Sequence, residues 1–162
     1  MRRLLSLVAL FALAAPALAR DSLGMFGSWA AFRDTAVPRC YAVAMADPST
    51  LKRDYQPYAD VAIWPRQQVR GQVHFRLSRK LAANAPIALS IGGQKLALVG
   101  GGGDAWAADK RMDAAIVAAM RSATEMTVSA RGADGRGFSN TWKLQGAATA
   151  IDAAQIGCAS LR

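Results

Sequence analysis

The stretch from Asp104 to Asp152 restricts the fold most, because the spacing of its apolar residues changes from helical to strand-like part-way along. Met112, Ile116, Val117 and Met120 fall on one stripe of a helix, and Asp109 stands where an N-cap belongs. Beyond them Met126, Val128 and Ala130 alternate with Thr127, Ser129 and Arg131. Across a glycine-rich turn at residues 132–137, Phe138, Asn140, Trp142 and Leu144 alternate with Ser139, Thr141 and Lys143. A helix therefore feeds a two-stranded hairpin, and each has one apolar face that only further structure can bury.

The rest of the chain offers strands to bury it. Residues 23–32, with Phe26, Trp29 and Phe32, read as a first strand. Residues 40–46 are almost continuously apolar and read as a central strand buried on both faces. Residues 58–64 read as a third strand, stopped by Pro65. In residues 69–77 the alternation points Val69, Gly71, Val73, Phe75 and Leu77 inward and Arg70, Gln72, His74 and Arg76 to water. Gly92 and Gly93 supply a tight turn between strands at residues 87–91 and 94–99. Residues 147–155 form a terminal helix, with Gly157 as its cap. About eight strands and one or two short helices, joined mostly by short turns, specify a mainly β fold. The expected form is an antiparallel β-sandwich or open barrel with the helices at its edge.

Residues 1–19 have the pattern of an export signal: Arg2 and Arg3, an apolar run at residues 4–13, then Ala17, Leu18 and Ala19 as a cleavage site. The expected mature chain begins at Arg20, and residues 20–162 form a single domain. The apolar run is shorter than the ~20 residues a membrane-spanning helix needs, and no later stretch approaches that length, so no membrane span is expected. No Cys follows the run, which removes a lipoprotein reading. Of 20 Lys and Arg and 11 acids, the leader removes only two cations, so the mature chain carries +7. Such a charge favours acidic partners. Export and the scattering of the cations argue against nucleic acid.

In an oxidising compartment, the default reading for the only two cysteines, Cys40 and Cys158, is one disulfide joining the early strand to the chain's tail. Two free thiols or one catalytic thiol are the alternatives. His74 is the only histidine, so any His-dependent catalysis must use it. Among Arg70, Gln72 and Arg76 it reads as a solvated surface residue whose protonated form its cationic neighbours disfavour. Asp104, Asp109 and Asp113 form the one acidic cluster, and capping or dipole roles at a helix start account for acids there. One His and two distant Cys make a poor metal set, so neither metal nor cofactor is expected. Gly100 to Gly103 read as a joint, since no Gly-Lys-Ser/Thr follows to make a phosphate cradle. Trp29, Trp64, Trp106 and Trp142 read as packing residues. The best binding candidate is the cationic face of Arg66, Arg70, His74 and Arg76, extended by Arg79 and Lys80, which suits phosphates or an acidic protein; the alternative is a solvated sheet face that resists aggregation.

Several short motifs in order resemble one family: Phe26-Gly27-Ser28-Trp29, the strand opening at Cys40, Ile91-Gly92-Gly93, Ala105-Trp106-Ala107, the helix from Asp113 to Met120, and Leu144-Gln145-Gly146. Together they are similar to the invasion-associated locus B family over most of the mature chain. That resemblance implies a small, β-rich, exported envelope or secreted protein of Gram-negative bacteria, without recognised catalytic residues, some of whose relatives take part in entry into host cells. Members commonly carry cysteines just after the first Trp and before the helix. This chain has none there, so its disulfide plan differs and rests on Cys40 and Cys158. The expectation is a non-catalytic protein of the periplasm or extracellular space that binds an unknown protein or an anionic envelope component. The competing classes are an envelope hydrolase using Asp104 or Asp109 as general base, and a periplasmic inhibitor or chaperone-like partner.

Overall fold

The computed structural model describes residues 20–161, so the expected leader lies outside the described residues. Ten strands follow in chain order: β1 Asp21–Phe26, β2 Trp29–Asp34, β3 Arg39–Met45, β4 Tyr58–Trp64, β5 Val69–Arg76, β6 Ile87–Ile91, β7 Gln94–Gly101, β8 Asp104–Trp106, β9 Glu125–Arg131 and β10 Gly137–Lys143. Helix α1 (Lys110–Met120) precedes β9, and α2 (Ala147–Gly157) follows β10. All strands join one antiparallel sheet in the order β1-β2-β3-β4-β5-β8-β7-β6-β9-β10. The expected mainly β fold, sandwich-like or an open barrel with two short helices, is what forms.

One face of this sheet supplies the core. Trp29 and Ala31 of β2, Cys40 and Ala42 of β3, Val61 and Ile63 of β4, and Val73 and Phe75 of β5 are buried in one cluster with Leu89, Met126, Val128 and Trp142 from the far strands. Phe75 and Trp142 meet with ring centroids 5.4 Å apart although several strands separate β5 from β10 in the sheet order, so the sheet curls until its β10 end faces its middle. At one corner the ends are tied together. The Trp29 indole N–H donates to the Lys143 carbonyl at 2.9 Å, and the Ser28 amide donates to the Gln145 carbonyl at 3.2 Å. Buried Asn140 accepts from the Ser78 amide at 2.9 Å, which holds the end of β5 to β10.

Both helices cover strand positions that the sheet leaves open. The side chain of Asp109 accepts from the Met112 amide at 2.8 Å, so it caps α1 as its position demands. Ile116 and Met120 are buried in the core while Met112 and Val117 pack partly against it, as the helical stripe requires. β8 is only three residues long and pairs with β5 from His74 to Arg76. At Val73, where β8 has ended, the Asp113 carboxylate of α1 accepts the strand amide at 2.8 Å, so a helix side chain takes the place of a missing strand. Burial pushes the Asp113 carboxyl above its ordinary range; the Val73 bond opposes this shift and Asp109 adds to it. α2 packs on β1, β2 and β3 through Ala147, Ala150, Ile151 and Ala154. Cys158, just past its end, is bonded to Cys40 of β3 with Cα atoms 5.7 Å apart.

Four local expectations are corrected. The proposed first strand is two, β1 and β2, because a turn at Gly27 and Ser28 folds it back on itself. β3 is not buried on both faces: Cys40, Ala42 and Ala44 are buried, but Tyr41 and Val43 are partly open and Met45 is exposed. Gly100 and Gly101 continue β7 instead of forming a joint, and Asp104–Trp106 is a strand. Gly157 does not cap α2 but belongs to it, with Cys158 as the right-handed C-cap; a Cβ at Gly157 would stand 2.5 Å from Leu23 Cδ1.

Candidate functional site

The cationic face does not form as the alternation in β5 implies, and one residue is responsible. β4 and β5 lose register between Ala62 and Ile63: Gln72 pairs with Ala62, but Arg70 pairs with Ile63, which leaves Gly71 as the extra residue of a bulge at φ +94°. Directly opposed residues share a face. Arg70 therefore leaves the side of Gln72 and His74 and lines a cleft with Ile63, the neighbour of Cys40 in β3.

This cleft encloses about 830 Å³ between the β4–β5 turn and the end of α2. Ile63, Pro65, Val69, Cys158 and Ala159 give it apolar walls. Gln68, Gln155 and Arg70 supply the polar groups. Arg66 lies in the 3-10 turn Pro65–Gln67, between two residues that line the cleft. Neither Arg66 nor Arg70 has a carboxylate within ion-pair distance among the described residues.

His74 and Arg76 lie elsewhere and are already paired. His74 is opposite Asp60 on β4 and Trp106 on β8, and Arg76 is opposite Tyr58 and Asp104. His74 Nδ1 bonds Asp60 Oδ2 at 2.8 Å, and its Nε2 bonds Asp104 Oδ1 at 3.1 Å. Arg76 donates to the other Asp104 oxygen at 2.5 Å and lies 3.8 Å from the Tyr55 ring centroid. Trp106 stacks on His74 at 5.1 Å between centroids, and Tyr58 meets the histidine edge-on at 5.7 Å. The His74 side chain is only 15% exposed, which corrects the solvated-histidine expectation.

The direction of its titration is also reversed. Burial pulls the His74 pKa down, but hydrogen bonds and charge from Asp60, then Asp104, outweigh it and hold the imidazole above its ordinary value. The sequence reading weighed Arg70 and Arg76, its neighbours along the strand. The carboxylates across the sheet decide the outcome, and Asp60 was missed altogether. Its signal was an acid at the water-facing phase of an otherwise apolar strand, Tyr58–Trp64, beside a strand carrying cations.

The three acids of the cluster, of which Asp104 and Asp109 are the candidates for hydrolysis, are each engaged in a structural contact. Asp104 uses its two oxygens on His74 and Arg76, Asp109 caps α1, and Asp113 holds the Val73 amide. Arg79 is likewise occupied, between Asp54 at 3.4 Å and Asp134 at 2.9 Å. Trp29 and Trp142 are the core residues expected, whereas Trp106 is 37% exposed and covers His74 from outside. No described helix is long and apolar enough to cross a membrane. Against this geometry, no family model, curated protein or solved structure matches the chain.

Proposed function

We propose that this is an exported, non-catalytic binding protein, of the kind the invasion-associated locus B resemblance implies. It takes hold of an anionic component of the cell envelope with Arg66 and Arg70. The observation that carries this reading is the division of the four candidate residues. His74 and Arg76 spend their charge on Asp60 and Asp104, whereas Arg70 lines a cleft and Arg66 sits in the adjoining 3-10 turn, neither with a carboxylate within ion-pair distance among the described residues. A cation without an internal partner is free to meet an external anion, and its strength there falls as salt screens it. The buried Cys40–Cys158 bond suits an oxidising compartment.

The test is co-sedimentation of the oxidised chain from Arg20 onward with lipopolysaccharide or anionic vesicles over a range of salt. The double reversal Arg66→Glu with Arg70→Glu is expected to weaken capture about tenfold or more, the equivalent of ~1.4 kcal/mol. Lys95→Glu, an exposed cation on β7, should leave it unchanged. Equal losses in both variants, or capture indifferent to salt, would refute the assignment.

A further inference from the structure

We infer that the cleft beside the disulfide is a binding site for a single-chain amphiphilic anion: an acyl or alkyl chain held between α2 and the β4–β5 turn, its phosphate or carboxylate on Arg70. This rests on the anion-binding reading above and names the ligand's chemistry.

Three features select that class. The volume of about 830 Å³ lies in the range of small-molecule sites, roughly 300 to 1,000 Å³, and exceeds what a bare phosphate would fill. Ile63, Pro65, Val69, Cys158 and Ala159 supply the apolar part of a lining that is polar over the rest, so an amphiphile finds surface for both its chain and its head group. The one charged residue in the lining is Arg70, and no carboxylate lines the cleft among the described residues. A neutral amphiphile would leave Arg70 without a counterion, and a free anion would leave the apolar walls wet. Gln68 and Gln155, one on each side, can donate to the head group's remaining oxygens.

The fold dedicates specific residues to this arrangement. The bulge at Gly71 brings Arg70 opposite Ile63, and the disulfide ties the end of α2 to Cys40, the β3 neighbour of Ile63. Without the bulge, Arg70 would stand on the His74 side of the sheet.

Titration calorimetry of the mature, oxidised protein with dodecyl phosphate below its micellar concentration tests this, with inorganic phosphate and dodecyl maltoside as head-only and uncharged arms. Saturable one-to-one binding of dodecyl phosphate is expected, with both other ligands about tenfold weaker or more. Lengthening the chain should tighten binding by up to about fourfold for each methylene that enters the cleft. Arg70→Glu should weaken dodecyl phosphate about tenfold. Ala159→Trp should abolish binding by filling the cleft, and Gln155→Trp, from the same α2 side, repeats the block should the first variant fold poorly. If dodecyl phosphate fails to bind while lipopolysaccharide capture still depends on Arg66 and Arg70, the cleft assignment is overturned and the anion-binding surface stands. If neither is captured, both are overturned. Equal binding of dodecyl maltoside, or binding unaffected by both blocking variants, also overturns it.

Discussion

Reducing the Cys40–Cys158 bond should weaken the fold far more than the loss of one contact would. The bond joins residues 118 apart, so it constrains nearly the whole described chain in the unfolded state. In the chain-entropy treatment, a loop of that length is worth about 5 kcal/mol, and removal of such bonds typically costs about 2 to 5 kcal/mol. Reduction is a cleaner perturbation than substitution because both buried sulfur atoms are retained, so no side-chain volume is removed. Since α2 buries Ala147, Ala150, Ile151 and Ala154 against β1, β2 and β3, the helix should remain docked after reduction, and the cost should fall mainly on the unfolded side of the equilibrium. The assay is urea unfolding followed by tryptophan fluorescence, since Trp29 and Trp142 are fully buried and report the core. With a denaturant dependence of about 2 kcal/mol per molar, the midpoint should fall by roughly 1 to 2.5 M. Coincident midpoints for oxidised and reduced protein would refute the claim that this bond limits the unfolded chain.

Three further outcomes follow from the same geometry. Because the His74 pKa is raised in the folded state, its contribution to stability is fully present below its ordinary value of about 6.5 and is lost as pH rises through the folded value. Unfolding midpoints should therefore decline as pH rises above about 6.5, and His74→Gln should flatten the decline, whereas an unchanged slope would remove His74 as its source. Gly146→Ala should cost about 3 kcal/mol or more by thermal unfolding, because it combines φ +90° with a collision against the Phe26 carbonyl. Gly93→Ala, at φ +77° with open space around it, should cost only about 1 kcal/mol, and equal losses would contradict this reading. Asn140→Ala should cost about 1 to 3 kcal/mol by leaving the Ser78 amide without its acceptor, and a neutral result in denaturant unfolding would show that water replaces the side chain freely.

The secondary structure was largely legible in the sequence because periodicity is a local property. The stripe from Met112 to Met120, the Asp109 cap, the hairpin turning at Gly92 and Gly93, and the alternation through Trp142 each concern residues a few positions apart. The disulfide was legible for a different reason: two cysteines allow only one pairing. Turns within apolar runs were less visible. Gly27 and Ser28 break one proposed strand into two because Gly27 lies against the Gln145 backbone, a neighbour that no local pattern names.

The candidate site was decided by tertiary structure. Alternation placed Arg70, His74 and Arg76 on one face, yet the lone glycine of that strand takes up a bulge and sends Arg70 to the other side. A glycine inside an alternating strand was the available warning. Which charges remain free depends on sheet order and register, which bring Asp60 and Asp104 from two different strands onto His74. Side-chain period is written along the chain, whereas electrostatic partners are set across it, so the sequence by itself determined strands, helices and the covalent staple. Only the folded sheet determined which cations stay available to another molecule.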